Sequence, residues 1–473
     1  MTRIPCPIRL HAQQGLPSPA IQLDDGALSY QQLDRRLNAL QQQLADAGLL
    51  RGSCLMAQEA NSLELLLLAW ACLRSGILFC PLNPTLPLAR VRELSARLDA
   101  NACWLPRWPA EQGEPPCPRL NLDFTAQLAG QSELGLESEG LNNLLLTSGS
   151  SGEPKIVAHR LNAHLASAIG SQQAIPLQPG DGWLLSLPLF HVGGYAIPMR
   201  CFLAGATLIL PEQPTPLAQR LREQNITHLS LVPTQLYRLL QTPGFTLQQT
   251  RLRHLLLGGA PIPQTLLHRS QAQGLHPQVS YGLSEMASQV NTGYVSPIAG
   301  AVGFPLPGRE VMLKEGEICV RGRTLFAGYY QAGQLSLPLD DEGWFHTGDL
   351  GHVTPDGELV VSGRRGNRFI CGGENIQPEE IEAQLLNHDA VRQALVVGVA
   401  DPEWGQRAVA FVELELELPY QALILWLRNT LPAHLIPKQW LAWPRDLESG
   451  LKPSRQLFQR LAQQAQAAPA EGR

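Results

Sequence analysis

Short apolar runs alternate with amphipathic segments from residue 28 to residue 257. Apolar positions recur every three to four residues over 29–44 and 63–73, which predicts two helices that end near Gly48 and Gly76. Strand-like runs stand between such segments at 77–82, 102–105, 206–210, 228–232 and 253–257. Strands that alternate with helices are typical of parallel βαβ units. We therefore predict an α/β fold.

The pattern changes near residue 293. From there to residue 363 the apolar runs are short and separated by Pro and Gly, which predicts an antiparallel, β-barrel-like region that closes a large domain over 1–363. The remaining residues, 364–473, predict a small mobile α+β domain. Its expected elements are a helix at 378–387, strands at 391–399 and 408–413, and a helix at 420–431. The polar tail from residue 463 is expected to be frayed.

Composition narrows the classes of function. The 473 residues carry 36 Lys+Arg against 41 Asp+Glu, a formal net charge of −5, which disfavours a broad basic face for nucleic acid. The nine cysteines include no C-x-x-C pair, so we expect buried free thiols in a reducing cytoplasm. Residues 1–25 lack a secretory layout, and the apolar run 65–73 is too short to cross a bilayer. We expect a cytoplasmic protein without a membrane span; the sequence leaves homo-oligomerisation open.

A loop rich in hydroxyl groups and glycines follows the apolar run at residues 144–146. It contains Thr147, Ser148, Gly149, Ser150, Ser151 and Gly152, and it leads to Lys155. Glycines let backbone N–H groups approach an anion, hydroxyls donate to phosphate oxygens, and a lysine adds positive charge. The spacing differs from that of P-loop NTPases. The run therefore fits either a phosphate-binding loop or an ordinary turn.

Further motifs follow this loop in a fixed order. They are Pro188-Leu-Phe-His191, Gly258-Gly259-Ala260-Pro261, Tyr281-Gly282-Leu283-Ser284-Glu285, Thr347-Gly348-Asp349, Gly363-Arg364 and Gly372-Gly373-Glu374-Asn375. In this order and spacing they resemble the motifs of the acyl-adenylate-forming superfamily, which includes acyl- and aryl-CoA synthetases, peptide-synthetase adenylation domains and luciferases. The resemblance extends from about Ala27 to Arg455. Each motif alone is common, and their combination is specific.

The resemblance implies a site for ATP and Mg²⁺. The loop from Thr147 to Lys155 would cover the β- and γ-phosphates. The other implied roles are backbone contacts to adenine from Gly259 and Ala260, stacking on adenine by Tyr281 beside Gly282, donation to the α-phosphate by Ser284, Mg²⁺ binding by Glu285, ribose binding by Asp349, and a ribose or phosphate contact by Arg364. Taken singly, Tyr281 also fits a core aromatic, Asp349 a turn former and Glu285 a solvated face.

Two further residues complete the predicted catalytic group. His191 is either a core residue or, as the resemblance implies, a residue that lies against the reacting carboxylate. Lys452 lies in Ser449-Gly-Leu-Lys-Pro-Ser-Arg455, which resembles the superfamily's S-G-K-x-x-R signature with one extra residue, Leu451. The resemblance implies that Lys452 bridges the carboxylate and the α-phosphate and that the small domain rotates between half-reactions. A surface lysine is the alternative.

The resemblance also indicates which acid and which thiol react. No G-x-x-S attachment site follows Arg455, so we expect coenzyme A as the thiol. The runs 372–376 and 281–288 most resemble the o-succinylbenzoate–CoA ligases of menaquinone biosynthesis. Such an acid has a second carboxylate, which needs a cation when it enters a pocket. Arg200, nine residues after His191, is the candidate, with Ser288 as a further substrate contact. A helix-surface position is the alternative for Arg200.

The sequence thus predicts ATP-dependent ligation of o-succinylbenzoate to coenzyme A through an acyl-AMP, with release of AMP and pyrophosphate. Gly193 stands where a serine is expected, so a ligase for another aryl or acyl acid is an alternative. A catalytically silent nucleotide-binding homologue is another. The presence of Lys155, Glu285, Asp349 and Lys452 counts against silence.

Overall fold

The computed structural model describes residues 3–130, 135–147, 154–444 and 454–467. In these residues the helices are α1 Pro7–Gln13, α2 Tyr30–Asp46, α3 Leu63–Ser75, α4 Leu88–Leu98, α5 Leu161–Ala174, α6 Val192–Ala204, α7 Leu217–Glu223, α8 Pro233–Leu240, α9 Gln264–Ala272, α10 Pro378–Leu386, α11 Tyr420–Arg428 and α12 Arg455–Ala467. Short 3₁₀ turns lie at Ala110–Gln112, Leu247–Gln249, Ser284–Met286, Arg365–Asn367 and Ala433–Leu435.

The strands are β1 Arg3–Pro5, β2 Pro19–Leu23, β3 Gly26–Ser29, β4 Cys54–Gln58, β5 Leu78–Leu82, β6 Ala102–Trp104, β7 Gly135–Glu137, β8 Leu141–Thr147, β9 Lys155–Arg160, β10 Gly182–Leu184, β11 Thr207–Ile209, β12 His228–Leu231, β13 His254–Gly258, β14 Gln278–Leu283, β15 Ser288–Tyr294, β16 Phe304–Pro305, β17 Arg309–Lys314, β18 Glu317–Gly322, β19 Gly328–Gln331, β20 Gln334–Ser336, β21 Phe345–Val353, β22 Leu359–Arg364, β23 Phe369–Cys371, β24 Glu374–Ile376, β25 Val391–Asp401, β26 Gly405–Leu414 and β27 Gln439–Ala442.

The two helices expected from the apolar period are confirmed, and their ends have local causes. Ser29 forms a capping box with Gln32 before α2. The hydroxyl of Ser62 accepts from the Leu65 N–H before α3, which ends at Gly76 with a positive φ of 70°. Ten consecutive residues of α3, from Leu65 to Arg74, are buried, so this helix is enclosed on all sides.

A nine-stranded sheet forms one half of the large unit. Its strand order is β16-β15-β14-β13-β12-β10-β11-β2-β3. Neighbours from β14 to β2 are parallel, whereas β15 and β16 at one end of the sheet and β3 at the other end pair antiparallel with their neighbours. The three strands predicted between residues 206 and 257 lie in this parallel part, each within one residue of its expected ends. The βαβ prediction is confirmed here.

A seven-stranded sheet forms the other half, with the order β20-β19-β9-β8-β5-β4-β6. The segment β8, β5, β4 and β6 is parallel and includes the strands predicted at 77–82 and 102–105. The strands β19 and β20 come from the region after residue 293, which is expected to be antiparallel. β19 pairs with β9, so that residues 328–329 lie against residues 157–158.

The remaining strands of that region form a four-stranded antiparallel sheet with the order β17-β18-β21-β22. After it, five strands from β23 to β27 build a separate sheet covered by α10, α11 and α12. Two apolar clusters in this last part draw their members from Phe369 to Phe458 and Ala462. The expected frayed tail is wrong for residues 463–467, which continue α12.

The described residues contain no helix that is long and apolar enough to cross a membrane. All nine cysteines lie in this part of the chain and are free; seven are buried and Cys117 and Cys371 are partly exposed. The expectation of free thiols is therefore confirmed.

Candidate active site

Four predicted site residues follow the carboxyl ends of two neighbouring parallel strands, β13 and β14. In open parallel sheets this edge is where ligands bind, because the loops that follow the strands converge there. Gly259 and Ala260 follow β13, and the turn Ser284–Met286 follows β14. Gly259 has a positive φ of 82° and is exposed, which leaves its backbone accessible beside the sheet.

The turn Ser284–Met286 is held from behind by His159 on β9. The His159 Nε2 lies 2.6 Å from the Ser284 carbonyl oxygen, so this nitrogen carries the proton and donates it. Burial lowers the pKa of His159 to about 4, and the ring is therefore neutral near pH 7. The Phe326 N–H donates to the Glu285 carbonyl at 2.8 Å. The carbonyl groups of Ser284 and Glu285 are thus held by His159 of β9 and by Phe326 of the loop before β19.

Glu285 and Lys155 meet through Tyr329. The Tyr329 hydroxyl donates to Glu285 Oε1 at 2.9 Å, and Lys155 Nζ lies 4.6 Å from the centre of the Tyr329 ring. Burial, and then the Glu285 carboxylate, raises the pKa of Tyr329, which keeps the phenol protonated as the donor. The pairing of β19 with β9 brings these residues together. The expected phosphate-binding lysine and the expected Mg²⁺ ligand therefore share one neighbour.

Tyr281 and Asp349 form a second pair. The Tyr281 hydroxyl donates to Asp349 Oδ2 at 2.7 Å. Burial, and then the Asp349 carboxylate, raises the pKa of Tyr281 well above its ordinary value. Arg364 stands opposite Asp349 in the β21–β22 pairing, and its Nε lies 3.7 Å from Asp349 Oδ1. Three residues that the sequence assigns to one nucleotide thus lie together.

Gly282 permits a close approach of two backbone segments. A Cβ atom at this position would lie 2.1 Å from the Ser288 carbonyl oxygen, a distance that no side chain tolerates. The strand β14 and the start of β15 can therefore pack only if residue 282 is glycine. This contact joins the nucleotide motif at 281–285 to Ser288.

Arg200 lies on α6, which begins directly after His191. Its side chain is buried, with 4% of the residue exposed, so the alternative of a helix-surface arginine is wrong. Nη2 donates to Gln289 Oε1 at 2.8 Å and to Ser288 Oγ at 3.3 Å, and the guanidinium lies 5.2 Å from the centre of the Trp183 ring. The two predicted substrate-binding residues, Arg200 and Ser288, are thus in contact. Ser288 lies four residues after Ser284 in the sequence.

His191 is the N-terminal cap residue of α6, and its ring lies 4.6 Å from that of Phe190. The residue is exposed, so the alternative of a core histidine is wrong. At the other end of the predicted site, Thr147 ends β8 and pairs with Lys155 in the β8–β9 register. The predicted residues Ser148, Gly149, Ser150, Ser151, Gly152 and Lys452 lie outside the described residues.

Sequence reasoning missed three residues that organise the site: His159, Tyr329 and Gln289. Local patterns carry no signal for them, because each acts through a partner more than 40 residues away.

The residues present at this site fit a Mg²⁺ ion that is bound mainly by the substrate's phosphates. Among the described residues no group of three His, Cys, Asp or Glu side chains could hold a metal. Mg²⁺ commonly uses one or two carboxylates together with substrate phosphates, which Glu285 alone can satisfy.

Family models match most of the chain. The model described as AMP-binding enzyme matches residues 9–330, and the model described as AMP-binding enzyme C-terminal domain matches residues 380–448. The 2-succinylbenzoate–CoA ligase of Escherichia coli K12 is 38% identical over 448 residues, covering 94% of this chain and 96% of the relative. The 2-succinylbenzoate–CoA ligase of Haemophilus influenzae is 34% identical and covers 90% of this chain and 91% of the relative.

Solved structures of other proteins are also similar to this chain. An arginine-to-lysine variant of Escherichia coli MenE with bound OSB-AMS has a TM-score of 0.88 and 36% identity, covering 98% of this chain and 100% of that one. The o-succinylbenzoate coenzyme A synthetase MenE of Bacillus subtilis, in complex with ATP and magnesium ion, has a TM-score of 0.83 and 26% identity, covering 93% of this chain and 96% of that one.

Proposed function

The chain belongs to the AMP-binding enzyme family, and we propose that it is an acid–thiol ligase that joins 2-succinylbenzoate to coenzyme A through an acyl-adenylate. ATP with Mg²⁺ drives the reaction, and coenzyme A is the co-substrate. The observation that carries the choice of acid is Arg200, a buried guanidinium whose hydrogen bonds within the described residues go to the neutral oxygens of Ser288 and Gln289.

The reaction needs two displacements. A carboxylate is a poor acyl donor because its leaving group would be oxide or hydroxide. In the first step a carboxylate oxygen attacks the α-phosphorus of ATP, and pyrophosphate leaves with the electron pair of the broken P–O bond. In the second step the thiolate of coenzyme A attacks the acyl carbon, and AMP leaves. The protein must therefore hold two anions together and then admit a thiol.

We assign the charge stabilisation of the first step to Lys155, Ser284 and Glu285. Lys155 supplies a positive charge to the phosphates, Ser284 donates its hydroxyl to an α-phosphate oxygen, and Glu285 gives an oxygen ligand to Mg²⁺, which neutralises phosphate charge when bound. Tyr329 fixes the side chain of Glu285 and lies under the Lys155 ammonium. Preorganised groups of this kind contribute about 3 kcal/mol each to transition-state stabilisation.

We assign nucleotide binding to Tyr281, Gly259, Ala260, Asp349 and Arg364. The Tyr281 hydroxyl holds Asp349 at one carboxylate oxygen, and the second oxygen faces Arg364 at 3.7 Å. A carboxylate held in this way can accept both ribose hydroxyls, while the Tyr281 ring lies beside the exposed backbone of Gly282. The contact between Tyr281 and Asp349, 68 positions apart, supports the assignment of both residues to one ligand.

We assign the second carboxylate of the acid to Arg200, which has no acidic partner among the described residues. Burial, and then the charge of Arg309, lowers the pKa of Arg200 to about 10, so the group still carries its charge near pH 7. A buried cation without a counter-ion is unfavourable unless an anion or several dipoles compensate it. A carboxylate of the bound acid supplies that anion, and the guanidinium can bind it in two places.

Three further parts of the proposal follow from the resemblance. His191 positions the reacting carboxylate, and Lys452 bridges that carboxylate and the α-phosphate. The boundary near residue 363 separates a large domain from a small one that rotates between the half-reactions. We also place the enzyme in the cytoplasm, where its nine free cysteines remain reduced.

Exchange of labelled pyrophosphate into ATP, measured with a panel of carboxylic acids, tests the proposal. Exchange with 2-succinylbenzoate, followed by thioester formation with coenzyme A, is the expected result. Exchange only with other aryl or acyl acids would assign another substrate. No exchange with any acid would indicate a silent nucleotide-binding homologue.

The variant Arg200→Gln tests the assignment of the acid pocket. We expect the KM for 2-succinylbenzoate to rise roughly tenfold or more, because a hydrogen bond to a charged group is lost, while the KM for ATP changes little. Arg107→Gln is the matched control, since the Arg107 side chain is 78% exposed and pairs with Glu59. Equal increases in both KM values would remove Arg200 from the acid site.

A further inference from the structure

Two buried arginines lie near one another, and the described residues provide neither with an acidic partner. Arg200 is 4% exposed and Arg309 is 5% exposed. Within the described part of the chain, neither forms an ion pair with a carboxylate; their hydrogen bonds go to neutral oxygens. Most buried arginines are paired with an acid. The burial of two arginines whose described hydrogen bonds all go to neutral oxygens therefore needs an explanation.

Gln289 lies between the two arginines and is 3% exposed. Its Oε1 accepts from Arg200 Nη2 at 2.8 Å and from Ser171 Oγ at 2.9 Å, and its Nε2 donates to Thr292 Oγ1 at 2.8 Å. Its backbone oxygen accepts from Arg309 Nε at 2.9 Å. A guanidinium only donates, so the amide oxygen must face Arg200. The orientation of the amide is therefore fixed from three sides.

The backbone that presents Gln289 is held in an uncommon conformation. Ala287 has a φ of 49° and Ser288 a φ of 109°, although neither is glycine. Ser167 Oγ donates to the Ala287 carbonyl at 2.7 Å, and Arg309 Nη2 donates to Ser167 Oγ at 3.2 Å. Arg309 thus fastens the segment 287–289, and that segment places Ser288 Oγ and Gln289 Oε1 against Arg200.

The bonding of Arg200 is also incomplete. Its Nε is buried and has no hydrogen-bond partner among the described residues. One terminal nitrogen is held by Ser288 and Gln289, and the Trp183 ring lies 5.2 Å from the guanidinium carbon. The guanidinium is therefore fixed in place, while no carboxylate in the part of the chain that the structure describes compensates its charge.

We propose that Gln289 is a specificity-determining residue that positions Arg200 without neutralising it, so that the charge is reserved for the second carboxylate of the acid. This inference rests on the proposed function, in which Arg200 faces that carboxylate. A glutamate at position 289 would have nearly the same shape, but it would form an internal ion pair with Arg200. The pocket would then lose its electrostatic preference for a dicarboxylic acid.

The variant Gln289→Glu tests the inference. Pyrophosphate exchange is measured with 2-succinylbenzoate and with two monoacids: benzoylpropionate, which lacks the ring carboxylate, and ortho-butyrylbenzoate, which lacks the chain carboxylate. We expect kcat/KM for 2-succinylbenzoate to fall roughly tenfold or more, while kcat/KM for the monoacid that the wild type adenylates changes less than about threefold. Gln219→Glu, at an exposed position of α7, controls for the added negative charge and should leave all values unchanged.

Equal losses for the dicarboxylate and the monoacid would overturn the inference, because they would indicate a purely structural role. Should Gln289→Glu not fold, Gln289→Met supplies the test: it leaves Arg200 charged but unheld, so the KM for 2-succinylbenzoate should rise and that for the monoacid should not. Parallel changes in both KM values would again refute the role. Failure of the proposed function is seen separately, as absence of exchange with 2-succinylbenzoate by the wild type, and it removes the inference as well.

Discussion

His159 provides a prediction with two independent readouts, because its ring is both a hydrogen-bond donor to the active-site turn and a buried titratable group. Its Nε2 lies 2.6 Å from the Ser284 carbonyl, which also accepts from the Ala287 N–H at 3.1 Å. Replacement by leucine removes one of these two donors. Replacement by glutamine keeps an amide N–H at about the reach of the imidazole Nε2 and cannot titrate near neutral pH.

The first readout is catalytic. Loss of a buried hydrogen bond costs about 1–2 kcal/mol, so we expect His159→Leu to lower kcat/KM for ATP by roughly 5- to 30-fold near pH 7.5. His159→Gln should remain close to the wild type. If leucine were as active as histidine, or glutamine as impaired as leucine, His159 would not position Ser284.

The second readout is the pH dependence of stability. Burial lowers the pKa of His159 from 6.5 to about 4 in the folded chain. Because the unfolded chain then binds the proton first, the stability contributed by the neutral ring is complete above pH 6.5 and is lost as pH falls toward 4. The linkage relation gives a loss of about 2 kcal/mol between pH 7 and pH 5.

Urea unfolding at pH 7 and pH 5, followed by intrinsic fluorescence, measures this effect. The decrease in the free energy of unfolding should be smaller in His159→Gln than in the wild type by about 2 kcal/mol. His276→Gln is the matched control, since His276 is exposed. Identical pH dependence in His159→Gln and the wild type would show that His159 is not held neutral by burial.

Two further predictions concern the same turn. Tyr329→Phe removes the 2.9 Å hydrogen bond to Glu285 Oε1. The Mg²⁺ concentration for half-maximal pyrophosphate exchange should therefore rise about threefold or more, while the KM for the acid stays near its wild-type value. An unchanged Mg²⁺ requirement would contradict the assigned role of Tyr329. Gly282→Ala places a Cβ atom 2.1 Å from the Ser288 oxygen and should abolish exchange. Gly244→Ala is the control: its added Cβ has no atom within 4 Å, and the strain of an alanine at a φ of 66° should lower only the melting temperature. Activity in Gly282→Ala would refute the close packing of β14 and β15.

Local pattern predicted the elements well, since their causes are local. The apolar period, the serine caps and Gly76 suffice for α2 and α3, and the strands at 207–209, 228–231 and 254–258 need only apolar runs between helices. The order of the motifs also predicted that Tyr281 and Asp349 share a site. What the pattern could not supply is the pairing of β19 with β9, which joins segments about 170 residues apart. The contact between Tyr329 and Glu285 therefore could not be predicted from the sequence.

The burial of Arg200 had a readable signal. Its neighbours on α6 include Ile197, Met199 and Phe202, and the helix is apolar on all sides, which is typical of a buried helix. An arginine in such a helix must find partners inside the protein, so burial and a functional role could have been inferred together. The identity of those partners could not, because Gln289 and Ser288 reach Arg200 across 88 or more positions of sequence.

The two halves of the site treat charge in opposite ways. At the nucleotide side the charged groups already have partners: Glu285 accepts from Tyr329, and Asp349 accepts from Tyr281. In the proposed function these bonds orient the two carboxylates for Mg²⁺ and for ribose, and they cost no specificity because ATP is recognised by its own phosphates. At the proposed acid side, Ser288 and Gln289 hold Arg200, and no carboxylate in the described part of the chain compensates its charge. If Arg200 binds the second carboxylate as proposed, the correct acid supplies the anion that completes the site, and a competing acid that differs by that one carboxylate does not.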